Sequence, residues 1–190
     1  MKIDFITSNA AKVNLANERL AKYGVEVLQK PLPLYEIQSL DIIEVAKSKA
    51  EQALKFTSEP FIIEDSSMCI KSLNNFPGTL LKPVFDSLGD ELILRLLKKG
   101  QDRSVTVISQ LIYYPGKNKE LKLFQGTYNG VLPNEPRGDN MRGWKVSRIF
   151  IPKNKDKTLA EMNDQEWQEF LDDFRQDDHF EKLGNWISEK

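Results

Sequence analysis

Two adjacent carboxylates, Glu64 and Asp65, follow the apolar run Phe61-Ile62-Ile63. Such a run reads as a buried central strand. The acidic pair then stands at its carboxyl end, where α/β sheets commonly hold ligands. Carboxylates beside so apolar a segment are costly unless a cation or water meets them. Hard oxygen donors suit Mg²⁺, which keeps several of its waters. One carboxylate can hold such an ion while its neighbour orients or deprotonates a water. An acidic turn capping the next element is the plainer alternative.

Thr7-Ser8-Asn9-Ala10-Ala11-Lys12 forms a second chemical segment, at a strand-to-helix turn. A helix N-terminus offers unpaired N–H groups and the positive end of the helix dipole to an anion. The small side chains of Ala10 and Ala11 permit close approach, and Lys12 adds a full charge. An ordinary N-cap with a surface lysine fits the same residues. Glu44, Lys47 and Lys49, on a long helix, read in isolation as solvated helix charges.

The elements that position these residues follow from periodicity. Alternation predicts a strand over 2–7 and apolar spacing a helix over 10–23, which Gly24 ends. A short strand at 25–28, a Pro-broken connection at 31–35 and an amphipathic helix at 40–56 follow, the helix with Ala46, Ala50 and Ala53 on one side. After the strand at 61–63 come a turn at 74–78 and a helix at 92–99. Strands at 104–114 and 121–132 turn at Pro115-Gly116 as a hairpin, and a loop spans 136–143. Helical segments are expected at 158–162, 164–174 and 179–188. The early alternation of strand and helix with a late hairpin gives an α/β fold, a mixed sheet with flanking helices.

The 190 residues suit one domain, or one domain of two lobes. Lys plus Arg (27) nearly balances Asp plus Glu (28), which argues against a dedicated nucleic-acid binder. The single cysteine, Cys69, supports no intrachain disulfide or Cys-rich zinc site. His179, the only histidine, reads as a helix-surface residue. No apolar run reaches transmembrane length, and the opening residues lack a signal-peptide core. The expectation is a cytoplasmic protein without membrane partners.

Taken in order, these segments resemble the HAM1 family of purine nucleoside triphosphate pyrophosphatases, also called inosine triphosphatases. Thr7, Asn9 and Lys12 match its Thr-x-Asn-x-x-Lys turn. Glu44 and Lys49 match its helical glutamate and lysine, and Glu64-Asp65-Ser66-Ser67 its acidic pair with the following Ser-Gly. Phe76-Pro77-Gly78, Asp102-Arg103-Ser104, Phe124-x-Gly126-x-x-x-Gly130, Pro136-Arg137-Gly138 and Thr158-x-Ala160-Glu161-Met162 continue the pattern over nearly the whole chain.

The resemblance implies one domain over 1–190, with a long central mixed sheet and two lobes around a substrate cleft, usually as a homodimer. It implies hydrolysis of an abnormal or modified nucleoside triphosphate to monophosphate and pyrophosphate. Thr7, Ser8, Asn9, Lys12, Lys49 and Ser66 would bind the substrate, Glu44 and Glu64 would hold Mg²⁺, and Asp65 would activate water. Trp144 would stack on the base.

The departures from the family pattern gather at the base end. The family's Gly-Phe-Gly-Tyr/Trp-Asp-Pro-x-Phe corresponds to a segment ending Gly143-Trp144-Lys145-Val146-Ser147-Arg148-Ile149-Phe150, with Ser147 for the aspartate and Arg148 for the proline. The family's Lys-Asn pair and its Ser-His-Arg, which reads the purine's keto edge, have no counterpart; Trp167 or Phe170 falls near the first. Losing such donors removes selectivity. An altered base preference is therefore expected, with Ser147 and the acidic stretch 172–178 presenting acceptors to an amino-bearing base. A non-catalytic nucleotide-binding protein on the same fold is the alternative reading.

Overall fold

A computed structural model describes residues 1–117 and 119–190. Its strands are β1 (Lys2–Phe5), β2 (Glu26–Gln29), β3 (Phe61–Ile70), β4 (Pro77–Gly78), β5 (Ser104–Tyr114), β6 (Lys122–Val131) and β7 (Ile151–Pro152). They form one mixed sheet in the order β2-β1-β3-β5-β6-β7, with β4 paired to β3. β1 runs parallel to both β2 and β3, whereas the β3–β4 and β6–β7 pairs are antiparallel. The helices are α1 (Ala10–Leu20), α2 (Ile42–Ala53), α3 (Leu81–Arg95), α4 (Asp164–Asp173) and α5 (His179–Ser188). This is the expected mixed sheet with flanking helices. Among the described residues no helix is long and apolar enough to cross a membrane.

Two compact units divide the chain. The first comprises Met1–Asp65, Ser109–Gly126 and Gln176–Lys190, and the second Ser66–Ile108 and Thr127–Arg175. In the first, the period-2 alternation of the strands sorts the core into two faces. Ile3, Phe5, Ile62, Leu111 and Tyr113 pack with Val13, Ala16 and Leu20 of α1 and Phe180 and Leu183 of α5. Ile6, Phe61, Ile63, Ile112 and Tyr114 pack with Ala46, Ala50 and Ala53 of α2. The alanine side expected for the second helix is thus its buried side.

Three local expectations differ from the structure. The strand predicted to end at Ile63 continues to Ile70, so Glu64 and Asp65 lie inside β3 rather than beyond it. The polar run interrupts apolar composition but not the pleat, since Met68 and Ile70 resume full burial. The helix predicted over 92–99 begins earlier, because α3 is two helical pieces joined at Gly89 (φ 71°, ψ 173°). His179, expected on a helix surface, is 3% exposed.

Candidate functional site

The turn before α1 is built by its own side chains. Thr7 Oγ1 accepts from the Asn9 N–H at 3.1 Å, and Asn9 Oδ1 accepts from the N–H groups of Ala11 (3.0 Å) and Lys12 (3.4 Å). Asn9 is the N-cap that the sequence suggests, and Ser8 stays exposed beside it. The cap aims the first turn so that Lys12 Nζ reaches Glu64, 2.8 Å from Oε2 and 3.4 Å from its carbonyl oxygen.

Because consecutive side chains of a strand leave on opposite faces, Glu64 follows Ile62 to the side of α1 and α5. Asp65 follows Ile63 to the side of α2, where it pairs with Lys49. Lys49 also pairs with Glu36, from the connection before α2. That connection is held by Gln52, whose side-chain amide donates to the Tyr35 carbonyl and accepts from the Tyr35 N–H, both at 2.8 Å. Each carboxylate of the acidic pair therefore has its own lysine, from its own helix.

Electrostatics separates the two sides further. Burial pushes the Asp65 carboxyl above the usual carboxylate range, and Lys49 and Lys12 pull against it without reversing the direction. Burial alone would lower the Lys49 ammonium, but Asp65 and Glu36 together hold it above its ordinary value. Asp65 Oδ2 is buried and has no hydrogen-bond partner. Glu44, by contrast, is exposed at the start of α2, and its carboxylate accepts from Ser39 Oγ at 2.7 Å.

On the α1/α5 side, His179 is the first residue of α5, which Asp178 caps through bonds to the N–H groups of Phe180 (2.8 Å) and Glu181 (3.0 Å). Its ring lies 4.2 Å from that of Phe180. Both imidazole nitrogens are buried without partners, and burial lowers the ring's proton affinity. Gly126 makes room for it: a Cβ there would stand 2.8 Å from His179 Nδ1.

The second unit carries Ser66 and an aromatic group. Trp144 stands edge-on to Tyr128 (5.3 Å), Trp167 (6.2 Å) and Phe170 (6.3 Å). Trp167 and Phe170, one or the other of which was expected near the family's Lys-Asn pair, both place their rings beside Trp144. The loop bearing Trp144 is fixed at both ends. Gly138 (φ 79°) lies so close to Ala160 that a Cβ would meet its carbonyl carbon at 2.4 Å. The Asn140 N–H donates to the Ala160 carbonyl at 3.2 Å, and Thr158 Oγ1 donates to the Arg137 carbonyl at 2.9 Å. The Pro136-Arg137-Gly138 and Thr158–Met162 motifs are therefore two halves of one lock.

Ser147 is fully buried, and its hydroxyl is bonded to the Trp144 carbonyl at 2.8 Å and to the Met141 carbonyl. Arg148 reaches the Gly138 carbonyl (3.1 Å) and Asp90 (3.1 Å). In the acidic stretch, Asp172 pairs with Arg175, Asp173 with Lys155 at 2.8 Å, and Asp178 caps α5. Ser147, Asp172, Asp173 and Asp178, among the acceptors expected to favour an amino-bearing base, are thus already engaged.

The model of the Ham1 family matches residues 3–171. The chain belongs to the Ham1 family. It is 34% identical over 190 residues to the inosine triphosphate pyrophosphatase of Yarrowia lipolytica, covering 100% of this chain and 97% of that one. It is 37% identical over 166 residues to the dITP/XTP pyrophosphatase of Methanopyrus kandleri, covering 87% of each. A solved HAM1 protein from Coxiella burnetii shares the fold, with TM-score 0.82 at 23% identity and 100% of both chains covered.

Within this Ham1 framework, the structure joins Lys12 to Glu64 and Lys49 to Asp65, and leaves Glu44 on Ser39. Glu36 is the residue sequence reasoning missed. It lies in an irregular connection, with no helical or strand period to mark it. The only available signal was an acidic residue in an otherwise apolar, Pro-broken stretch. Among the described residues no group of three or more His, Cys, Asp or Glu side chains could hold a metal ion. Mg²⁺ asks for less, one or two carboxylates completed by substrate phosphates and water.

Proposed function

We propose that this chain hydrolyses a purine nucleoside triphosphate to the monophosphate and pyrophosphate, with Asp65 as the water-activating carboxylate. The observation that carries the reading is Asp65 itself, a carboxyl raised by burial, beside Lys49, with one oxygen unpartnered. A raised carboxyl is better matched to accepting a proton near neutral pH. Lys12 and the capped start of α1 supply positive charge for the phosphates, and Lys49 supplies more. The hard carboxylate donors fit a divalent ion, and Glu36, beside Lys49, would hold it in place of the helical Glu44, while Asp65 keeps its unpartnered oxygen for the proton. When bound, Mg²⁺ would offset charge on the leaving pyrophosphate. The curated relatives named above act on inosine or xanthosine nucleotides by name, and the engagement of Ser147, Asp172, Asp173 and Asp178 weakens the support for an amino-base preference. The substrate in this reading is a keto purine nucleotide.

The test is pyrophosphate release from inosine, xanthosine, guanosine and adenosine triphosphates, with Mg²⁺ and with chelator. Metal-dependent release of pyrophosphate rather than orthophosphate is expected. Binding without release in every case would mean a non-catalytic nucleotide binder. A homodimer belongs to the same reading and is supported by Leu92 of α3 and Leu96, the residue that caps its end, both exposed; light scattering of the purified chain checks it.

A further inference from the structure

The family closes the turn after its stacking aromatic with Asp-Pro, and a proline stiffens a turn by fixing its own φ. This chain has Ser147 and Arg148 there instead. Ser147 acts locally, its hydroxyl bonded to the Trp144 and Met141 carbonyls. Arg148 reaches outward. Its Nε–H donates to the Gly138 carbonyl at 3.1 Å, and its Nη1 lies 3.1 Å from Asp90 Oδ2. Lys145, next to Trp144, pairs with Asp86. Both carboxylates belong to α3, on either side of Gly89.

Gly89 is where α3 bends. Its φ 71° and ψ 173° form a conformation open essentially to glycine alone. Packing does not demand the residue, since a Cβ there would meet nothing within 4 Å. Asp90 opens the second helical piece: its Oδ1 accepts from the Glu91 N–H at 2.8 Å while Oδ2 holds Arg148. Asp86 lies on the first piece and holds Lys145. We propose that Lys145 and Arg148 are positioning residues, which clamp the Trp144 loop to both pieces of α3 so that the set of the Trp144 ring follows the bend at Gly89. All of these residues lie in the second unit. That the ring meets a base rests on the reading above. A clamp of ion pairs differs from a proline in one respect. Both pairs are partly exposed to solvent, so salt screens them, whereas it leaves the φ of a proline untouched.

The experiment is hydrogen exchange of the Trp144 and Ser147 amides, whose N–H groups donate within the loop at 2.8 and 3.1 Å. It compares the wild type, Arg148→Met, Asp90→Asn and the double variant at low and high salt. A partly exposed ion pair shifts an opening equilibrium about 1.5- to 5-fold. Each single variant should exchange these two amides faster by that factor, and the double variant no faster than either. Arg148→Lys, which keeps the charge but not the fork, should fall between. Amides of β1 should keep their rates. High salt should quicken the loop more in the wild type than in Arg148→Met. With inosine triphosphate, Arg148→Met should raise KM and leave kcat nearly unchanged. Should Arg148→Met fail to fold, Asp90→Asn and the salt dependence carry the test. Unchanged loop exchange, exchange that quickens equally in β1, additive effects in the double variant, or faster loop exchange without a change in KM overturns the proposal. A wild type that releases no pyrophosphate overturns the reading above instead; the affinity for inosine monophosphate then replaces KM, and the loop exchange decides as before.

Discussion

Lys12 Nζ stands 2.8 Å from the Glu64 carboxylate, whose side chain is 4% exposed. The two groups answer each other on the α1/α5 side of β3, and removing the lysine takes away the charge that faces a buried carboxylate. Lys12→Ala should cost about 1–3 kcal/mol of stability by removing a charged hydrogen bond to a buried carboxylate, measured by denaturant unfolding. It should also weaken nucleoside triphosphate binding more than monophosphate binding, because its charge counts most where phosphate charge is densest. Equal weakening of both would reduce Lys12 to a structural partner of Glu64.

Asp65→Asn separates activity from stability. Burial raises the Asp65 carboxyl, so the folded chain holds that proton more tightly than the unfolded chain. As pH rises through the ordinary carboxylate range, the unfolded chain gives up the proton first, and the folded state loses stability until its own higher pKa is passed. Asparagine escapes that loss. The variant should melt no lower than the wild type at neutral pH while losing about 10²-fold or more in rate. A variant with wild-type turnover would remove Asp65 from the chemistry.

Glu36 and Glu44 offer a direct contrast. Glu36 shares Lys49 with Asp65, while Glu44 bonds Ser39. Glu36→Gln should raise the Mg²⁺ concentration needed for half-maximal activity by about tenfold or more, the scale of losing a metal-supporting group. Glu44→Gln should leave it nearly unchanged. The opposite ranking would return the ion to the helical glutamate.

His179 gives a pH signature free of other histidines. Burial lowers its proton affinity, so below the ordinary histidine pKa of about 6.5 the unfolded chain takes up a proton that the folded chain refuses. Stability from this group is fully present above that pKa and is lost as pH falls towards the lower folded value. His179→Leu should flatten that part of the curve, so the melting-temperature gap between variant and wild type shifts in the variant's favour from pH 8 to pH 5. A gap independent of pH would show that the imidazole titrates alike in both states.

What was legible in the sequence had a local cause. Asn9 is a side chain that caps its own helix, and Ala46, Ala50 and Ala53 repeat with the helix period, so both could be found without tertiary knowledge. Glu64 and Asp65 were found as a pair, but their burial inside a continuing strand depends on neighbours supplied by β1 and by two helices. Pro83 and Gly89 disguised the first part of α3, although proline is tolerated in a first helical turn. His179 looked peripheral because a polar residue at a helix start usually is; only Gly126, far away in sequence, makes space for it inside.

The first unit is assembled from Met1–Asp65, Ser109–Gly126 and Gln176–Lys190. During synthesis, α1 emerges with Arg19 and Tyr23 long before α5 brings Asp178, which pairs with Arg19, and Glu181 and Asn185, which bond the Tyr23 hydroxyl at 2.8 and 2.7 Å. The second unit has its full complement by Arg175. Chains usually fold from the amino end as they leave the ribosome; here the unit that starts first must finish last. The acidic pair and its two lysines are therefore present early but gain their complete surroundings only after residues 176–190 have been made.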